Sequence, residues 1–432
     1  MNLLYFTFFI ILAAAFFALF LRGRLRVSPL WLMLSAWMVA LGLPRLHLSK
    51  LEDPWGAEFI LLVGVSLASF AAGFFLTNLL FDRFKGRMPG WLNRQAFSGQ
   101  RLRIAAYFLF GVSLYALYAF YIRAGNFPLL AADTDVFRFV ADEKVPGLIN
   151  YAAQLARLFI PLSFFLMFRE GFSFRRHWDL VVLCLLGTFA LTLFASRTQI
   201  FFIDLYVMAL YLFIRKPNLK QSLKFYPFFL AVSVLVLAAV PLIRQYKSYG
   251  STNYLAGVTA IDSSHYNPAG KALLPIYVGV SFNMQALKHA QVYYESHPVQ
   301  HGKVMLDPFT NLAGKAIPAL DRFKSHYDLG DIFFSWWNTG TYLFPFVQDF
   351  GNSAFYFAPL IIAALLTAAW RYWKSAPNFL SVNLYAYACF FIVMTIYLSF
   401  TVRAEMYIDL FLLAALYVFV TRPVSEQAVD KS

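Results

Sequence analysis

Apolar runs of about twenty residues recur along this chain, and short basic loops separate them. A run of that length crosses the roughly 30 Å hydrocarbon core of a bilayer as a helix, the one open-ended element whose backbone polar groups bond internally. Eleven such runs stand near positions 3–21, 28–44, 57–81, 104–122, 148–168, 179–195, 199–214, 227–243, 352–370, 379–400 and 405–421. The pattern predicts an all-α polytopic membrane protein, read as a single integral membrane domain over 1–432. Composition agrees, with 13% charged residues where a soluble domain carries about 25%. The first run, Leu3 to Leu21, has no basic residues before it and no small-residue cleavage site after it, so a retained helix is expected rather than a signal peptide. Cys184 and Cys389 both fall inside apolar runs, which leaves the long polar segments without a disulfide framework or a thiolate metal site.

Charge orients the runs. One alternating set of loops holds 20 of the 36 basic residues and five acids, a balance of +15, while the rest of the chain carries 16 basic and 17 acidic residues. The net charge of +14 therefore lies on one side, which the positive-inside rule makes the cytoplasm. The N-terminus is then expected outside and the C-terminus inside. Nucleic acid is not an expected partner, because the basic residues are scattered over juxtamembrane loops rather than gathered on one folded face.

Two segments face outward. The smaller, 123–147, contains Gly125-Asn126-Phe127-Pro128-Leu129-Leu130 followed by Asp133, Asp135 and Arg138. The larger, 244–350, holds five of the seven histidines and ends in Trp337-Asn338-Thr339-Gly340-Thr341-Tyr342 and Asp349-Phe350-Gly351. Within it, Ala272 to Tyr294 is apolar and aromatic at loose helical spacing. Lys288, His289 and Gln291 in its second half predict an interfacial helix rather than a span.

Three places resemble the oligosaccharide repeat unit polymerases, the Wzy-type O-antigen polymerase family. Gly125-Asn126-Phe127-Pro128-Leu129-Leu130 with downstream Arg138 is similar to the family's Gly-x-Ile-Pro-Leu segment. Ser196-Arg197-Thr198 stands at the outer end of a span. Asn338-x-x-Thr341-Tyr342 followed by Asp349-Phe350-Gly351 precedes the ninth span. The likeness extends over nearly the whole chain, in the number of helices and in the single large outward loop. The related O-antigen ligases carry a His-Asn pair where this chain has Trp337-Asn338, which counts against the ligase reading.

The resemblance implies a C-type-glycosyltransferase-like membrane fold in a bacterial inner membrane, with the N-terminus periplasmic and the C-terminus cytoplasmic. It implies that undecaprenyl-diphosphate-linked oligosaccharides serve as donor and acceptor, with no cofactor. Membrane lipids surround the chain, and a chain-length regulator (a polysaccharide co-polymerase) is an implied partner. In that reaction a hydroxyl attacks sugar C1 and the lipid diphosphate leaves, so the leaving charge must be stabilised. Arginine can do this without a metal, because its planar fork binds phosphate oxygens bidentately. His297-x-x-x-His301 has a helical ligand spacing, but Pro298 interrupts it and no third ligand is evident, so no metal site is expected.

Four arginines stand at or inside expected outer membrane ends: Arg157, Arg197, Arg244 and Arg403. Arg157 is the most costly, since a charge near mid-bilayer costs about 2.5–3.5 kcal/mol on insertion scales. The alternative for each is snorkelling to headgroups or pairing with an intramembrane acid, for which Asp204 and Asp409 are available. Asp349 is the expected general base, with a helix cap as its other role. The loop histidines His265, His289, His297, His301 and His326 are further candidates, each also readable as an ordinary surface histidine. The expected catalytic set is therefore Asp349, Arg197, Arg244 and Arg403. Arg138, Arg157, Trp337, Asn338 and Tyr342 are expected to bind substrate. A ligase, a polysaccharide-precursor transporter and a structural membrane protein are the competing readings.

Overall fold

A computed structural model describes residues 2–22, 25–83, 95–217, 219–264, 266–313, 317, 320, 323–325, 332–334, 337 and 339–423. Asn338, Trp336, His265 and His326 lie outside the described residues.

The first half of the chain is a series of long helices: α1 (Asn2–Arg22), α2 (Pro29–Gly42), α3 (Ala57–Arg83) and α4 (Gly99–Ala124). Two short helices follow, α5 (Thr134–Lys144) and α6 (Gly147–Ala153). Then come α7 (Ala156–Glu170), α8 (Phe174–Thr192), α9 (Arg197–Arg215) and α10 (Leu219–Tyr249). The large polar segment contributes α11 (Tyr254–Val258), α12 (Pro268–Ser296), α13 (Lys303–Ala313) and α14 (Leu343–Phe350). The chain closes with α15 (Ala354–Ser375), α16 (Phe379–Met394) and α17 (Ala404–Val420). Two three-residue strands, β1 (Gln95–Phe97) and β2 (Thr421–Pro423), pair antiparallel and tie the start of α4 to the end of α17.

The fold is an all-α bundle of membrane type. Among the described residues, seven helical segments are long and apolar enough to cross a membrane: Asn2–Leu21, Pro29–Leu46, Ala57–Arg83, Gly99–Ala124, Gly147–Glu170, Arg197–Arg215 and Leu343–Ser375. The shorter Phe379–Met394 is also apolar. Helices α8, α10, α16 and α17 occupy the other four expected spans, but length and hydropathy alone do not make these crossings. Large apolar side chains cover the outer surface, among them Leu61, Leu79, Phe108, Phe189, Leu365 and Phe411. Exposed large apolar side chains on many of the helices suit a surface that meets lipid.

Local signals set the helix ends. Gly125, at φ 82°, ends α4 in the left-handed conformation that glycine adopts without strain. Asp133 caps α5 through the amides of Asp135 and Val136. Asn378 and Ser381 form a reciprocal capping box at the start of α16.

One core runs through α2, α3, α7, α9 and α14 to α16, with Trp37, Phe70, Phe74, Phe159, Tyr206, Trp370 and Tyr385 almost fully buried. The stretch expected as an interfacial helix lies within α12, a continuous 29-residue helix. Much of it is buried, from Tyr277, Val278 and Phe282 through Met284, Leu287 and Ala290, and it packs on α10 and α14. Its polar residues Ser281, Asn283, Gln285 and Gln291 are buried with it. Each of these side chains finds a hydrogen-bond partner inside the protein.

Helices α3 and α15 form the most extensive pairing in the bundle. Their closest approach is at Gly73, where a Cβ would lie 2.7 Å from the Leu360 carbonyl oxygen and 3.0 Å from Leu360 Cα. Both are backbone atoms and cannot move aside. Gly→Ala in a helix normally stabilises by about 1 kcal/mol. Here the sign reverses: Gly73→Ala is expected to lower the unfolding temperature in detergent. Gly111→Ala, at a position with open space around it, is expected to leave it unchanged or raise it. Thermal unfolding of the two variants side by side checks this.

Candidate functional site

A cavity of about 380 Å³ opens where four segments of the chain meet. Thr339, Gly340 and Thr341 form one wall with Phe344 and Pro345 of α14. Leu398, Ser399, Val402 and Arg403, from the turn between α16 and α17, form the second. Val304 and Asp307 of α13 supply the third, and Lys324 with Ser325 the fourth. The segment 395–403 is at the end of α16 opposite Arg371 and Lys374, so the cavity lies away from that basic end of the bundle.

The Asn283 side chain holds two of these walls together. Its Oδ1 accepts from Trp337 Nε1 at 3.1 Å and from Thr339 Oγ1 at 2.9 Å. Its Nδ2 donates to the Tyr397 carbonyl at 2.6 Å. Reversing the amide would set donor against donor at Trp337 and acceptor against acceptor at the Tyr397 carbonyl, which fixes its orientation. Tyr342 adds a second tie. Its backbone N–H donates to the Thr395 carbonyl at 2.8 Å, and its ring meets Trp37 edge to face at 5.7 Å.

Arg403 points from the residue before α17 and is exposed. Its side chain makes no hydrogen bond or ion pair among the described residues, and neither does it pair with Asp307 across the cavity. Arg197, the first residue of α9, follows Ala195 in a left-handed turn (φ 50°). Its guanidinium donates to the Tyr397 hydroxyl at 2.5 Å. Arg197 thus stands behind the wall that Asn283 holds.

The other expected site residues are placed elsewhere. Arg244 donates to Asp135 Oδ1 through Nε at 3.0 Å, and its Nη2 binds the same oxygen. It ties the end of α10 to α5, helped by Ser248, whose hydroxyl accepts from the Asp135 amide. Arg157 is buried at 4% exposure and paired with Asp409 at 3.1 Å. Asp409 also accepts from Tyr151 and Tyr387 at 2.8 and 3.0 Å, so intramembrane pairing, the alternative for this arginine, describes its contacts. Asp204 accepts from Ser233 instead. Arg138 is half-buried on α5 and is not part of the cavity wall. Tyr342 is 1% exposed, packed against Trp37, and is not part of the cavity wall.

Asp349 also differs from expectation. It is fully buried, and its two oxygens accept from the backbone amides of Val304 at 3.0 Å and Met305 at 2.9 Å. It caps the first turn of α13 from outside that helix. The base expected at this position therefore has both oxygens engaged, and it does not line the cavity. None of the described histidines is part of the lining. His289 contacts Asp53 Oδ2 at 3.1 Å, and burial pushes its pKa down. His297 stacks on Tyr293 at 3.9 Å. Among the described residues no group of three or more His, Cys, Asp or Glu side chains has a metal-holding arrangement.

Asn283, Tyr397, Asp307 and Ser325 were not singled out from sequence. Asn283 left one signal: a carboxamide inside an apolar helical stretch needs a partner. Asp307 left none, because its surroundings are made by residues distant in the chain.

Comparison with protein-family models, with curated proteins and with solved structures finds no match.

The capping geometry at Asp349 is testable. Asp349→Asn keeps one acceptor oxygen and turns an N–H₂ group toward a backbone amide. The unsatisfied buried donors cost about 1–3 kcal/mol. Asp349→Asn is expected to unfold several degrees below the wild type in the same detergent. An unchanged unfolding temperature would remove the capping role.

Proposed function

We propose that this protein polymerises undecaprenyl-diphosphate-linked oligosaccharide repeat units into a surface polysaccharide by metal-independent glycosyl transfer at the periplasmic membrane face. The observation that carries the reading is the cavity at which the Thr339–Thr341 segment meets Arg403, with Lys324 on a further wall. Its volume lies within the usual 300–1,000 Å³ of ligand sites. Two cationic residues, Arg403 and Lys324, line one space with Thr339, Thr341, Ser399 and Ser325. That is a donor set suited to the charge that develops on a departing diphosphate.

In this reading the chain crosses the inner membrane eleven times, with its N-terminus in the periplasm and its C-terminus in the cytoplasm. The bundle belongs with the C-type membrane glycosyltransferases. The polyprenyl tails of donor and acceptor reach the cavity from the bilayer, and a chain-length regulator docks on the same assembly. Arg403 and Lys324 hold diphosphate oxygens. Arg197 sets the Tyr397 wall, and Asn283 keeps Trp337 and Thr339 in register with it. Arg244 and Arg157 act at a distance by fixing α5 and α17.

The test is a purified-protein assay in nanodiscs with the host's lipid-linked repeat unit. A product ladder with release of undecaprenyl diphosphate is expected, and EDTA should leave it intact. Arg403→Ala is expected to lower turnover by about 10²–10³-fold, the usual loss for one donor to a developing anion, with the yield of folded protein unchanged. Transfer to lipid A core without a ladder would move the reading to a ligase. Folded protein with verified substrate and no transfer would overturn it.

A further inference from the structure

We infer that Asp307 is the general base of the proposed transfer, and that Asp349 is the residue that positions it. The inference rests on the polymerase reading and names the group that the sequence left unassigned. Asp307 is the acidic residue among the described lining of the cavity, and it is partly exposed there. Its Oδ1 accepts from the Ser325 amide at 3.1 Å, and its Oδ2 accepts from the Ser325 hydroxyl. A carboxylate oxygen has two acceptor sites, so each oxygen keeps one for a substrate hydroxyl. Ser325 fixes the carboxylate in one orientation without using it up.

The electrostatics of the cavity agree with this role. Arg403 and Asp307 border the same space and are not paired with each other. An acid and a cation facing one cavity without neutralising each other leave room for a substrate that needs both. The hydroxyl to be deprotonated lies at the acid, and the phosphate to be released lies at the cation. The other candidates lack this placement. Asp349 is fully buried outside the lining, and neither Glu405 nor a described histidine lines the cavity.

Asp349 acts through α13. Its cap on Val304 and Met305 holds the first turn of the helix that carries Asp307. The backbone around it adds to this, with the Gln300 and His301 amides donating to the carbonyls of Gln348 and Asp349. Gly351, at φ 59°, ends α14 directly after this contact in a conformation that disfavours any side chain.

The step balances as follows. The acceptor hydroxyl gives its proton to the Asp307 carboxylate as its oxygen forms a bond to the donor's C1. The bond from C1 to the phosphate oxygen breaks, and its electron pair leaves with undecaprenyl diphosphate, whose charge Arg403 and Lys324 meet. Asp307 then releases the proton to water.

The experiment compares wild type, Asp307→Asn and Asp307→Glu, with initial polymerisation rate, acceptor binding, unfolding temperature and pH profile as readouts. Asn can keep an oxygen on the Ser325 amide but cannot take a proton. Asp307→Asn is expected to lose about 10²–10⁴-fold in kcat, the usual contribution of a general base, with binding and unfolding close to wild type. The wild-type rate is expected to fall on the acid side as a carboxylate protonates, and that limb should be absent from the residual activity of Asp307→Asn. Asp307→Glu is expected to keep the limb and more of the rate. If Asp307→Asn does not fold, the retained acid limb and rate of Asp307→Glu carry the test. A folded Asp307→Asn within about fivefold of the wild-type rate, or an unchanged acid limb in it, overturns the inference and leaves the polymerase reading standing. A folded Asp307→Glu without the acid limb also overturns it. A wild type that makes no ladder overturns the reading beneath it.

Discussion

The carboxamide of Asn283 is the contact on which the cavity depends. It sits fully buried on α12 and joins Trp337 and Thr339 to the Tyr397 carbonyl. Those groups belong to two loops that approach from different parts of the chain. A buried carboxamide with its polar groups satisfied contributes modestly, but loss of one partner leaves several groups unpaired at about 1–3 kcal/mol each. That asymmetry makes one arrangement of the two loops much better than its neighbours. The wall carrying Ser399 and Arg403 then follows, because the segment from Thr395 to Arg403 is tied at Thr395 by Tyr342 and Trp37 and at Tyr397 by Asn283 and Arg197.

The charges inside the bundle form a second framework. Arg157, Asp409, Tyr151 and Tyr387 make a closed set in which the acid accepts from three side chains and the arginine lies 4.5 Å over the Tyr151 ring. A single charge there would be expensive. A paired and hydrogen-bonded set offsets much of the desolvation, while removal of one partner strands the other. Because Asp409 is on α17, this set fixes the helix that begins just after Arg403. The membrane-depth arginine thus contributes to the cavity by geometry, with no contact to its lining.

The fold was readable from the sequence to the extent that it is governed by hydropathy and charge. A helix stands at each expected span, since an apolar run in a membrane has few alternatives to a helix. The interior position of α12 was not readable. Lys288, His289 and Gln291 look like the polar side of a surface helix, yet His289 and Lys288 meet Asp53, and Gln285 donates to the Asp53 carbonyl. Partners from the 47–56 connection cannot be seen in the helix's own pattern. At the site, Arg197, Arg403, Trp337 and the Thr339–Thr341 segment were legible because unusual residues stand at the outer ends of apolar runs. Asp307 and Ser325 were not, because an acid and a serine in a polar loop are common and only their approach distinguishes them.

The motif residues and the residues that face the cavity divide by burial. Tyr342 and Asp349, from the most family-like segment, are buried and bond to other backbone segments. Asp307 and Arg403, from outside that segment, face open space. Buried hydrogen-bonding roles constrain residue type tightly, because few side chains can fill a given cap or bridge two backbones. A cavity-facing acid or cation is constrained by its substrate and can be supplied from several positions on the surrounding loops. A sequence pattern built on the first kind of residue therefore points to the neighbourhood of the cavity and not to the residues that face it. The resemblance pointed to the loop that borders the cavity and to Asp349, whose carboxylate caps the helix that bears Asp307.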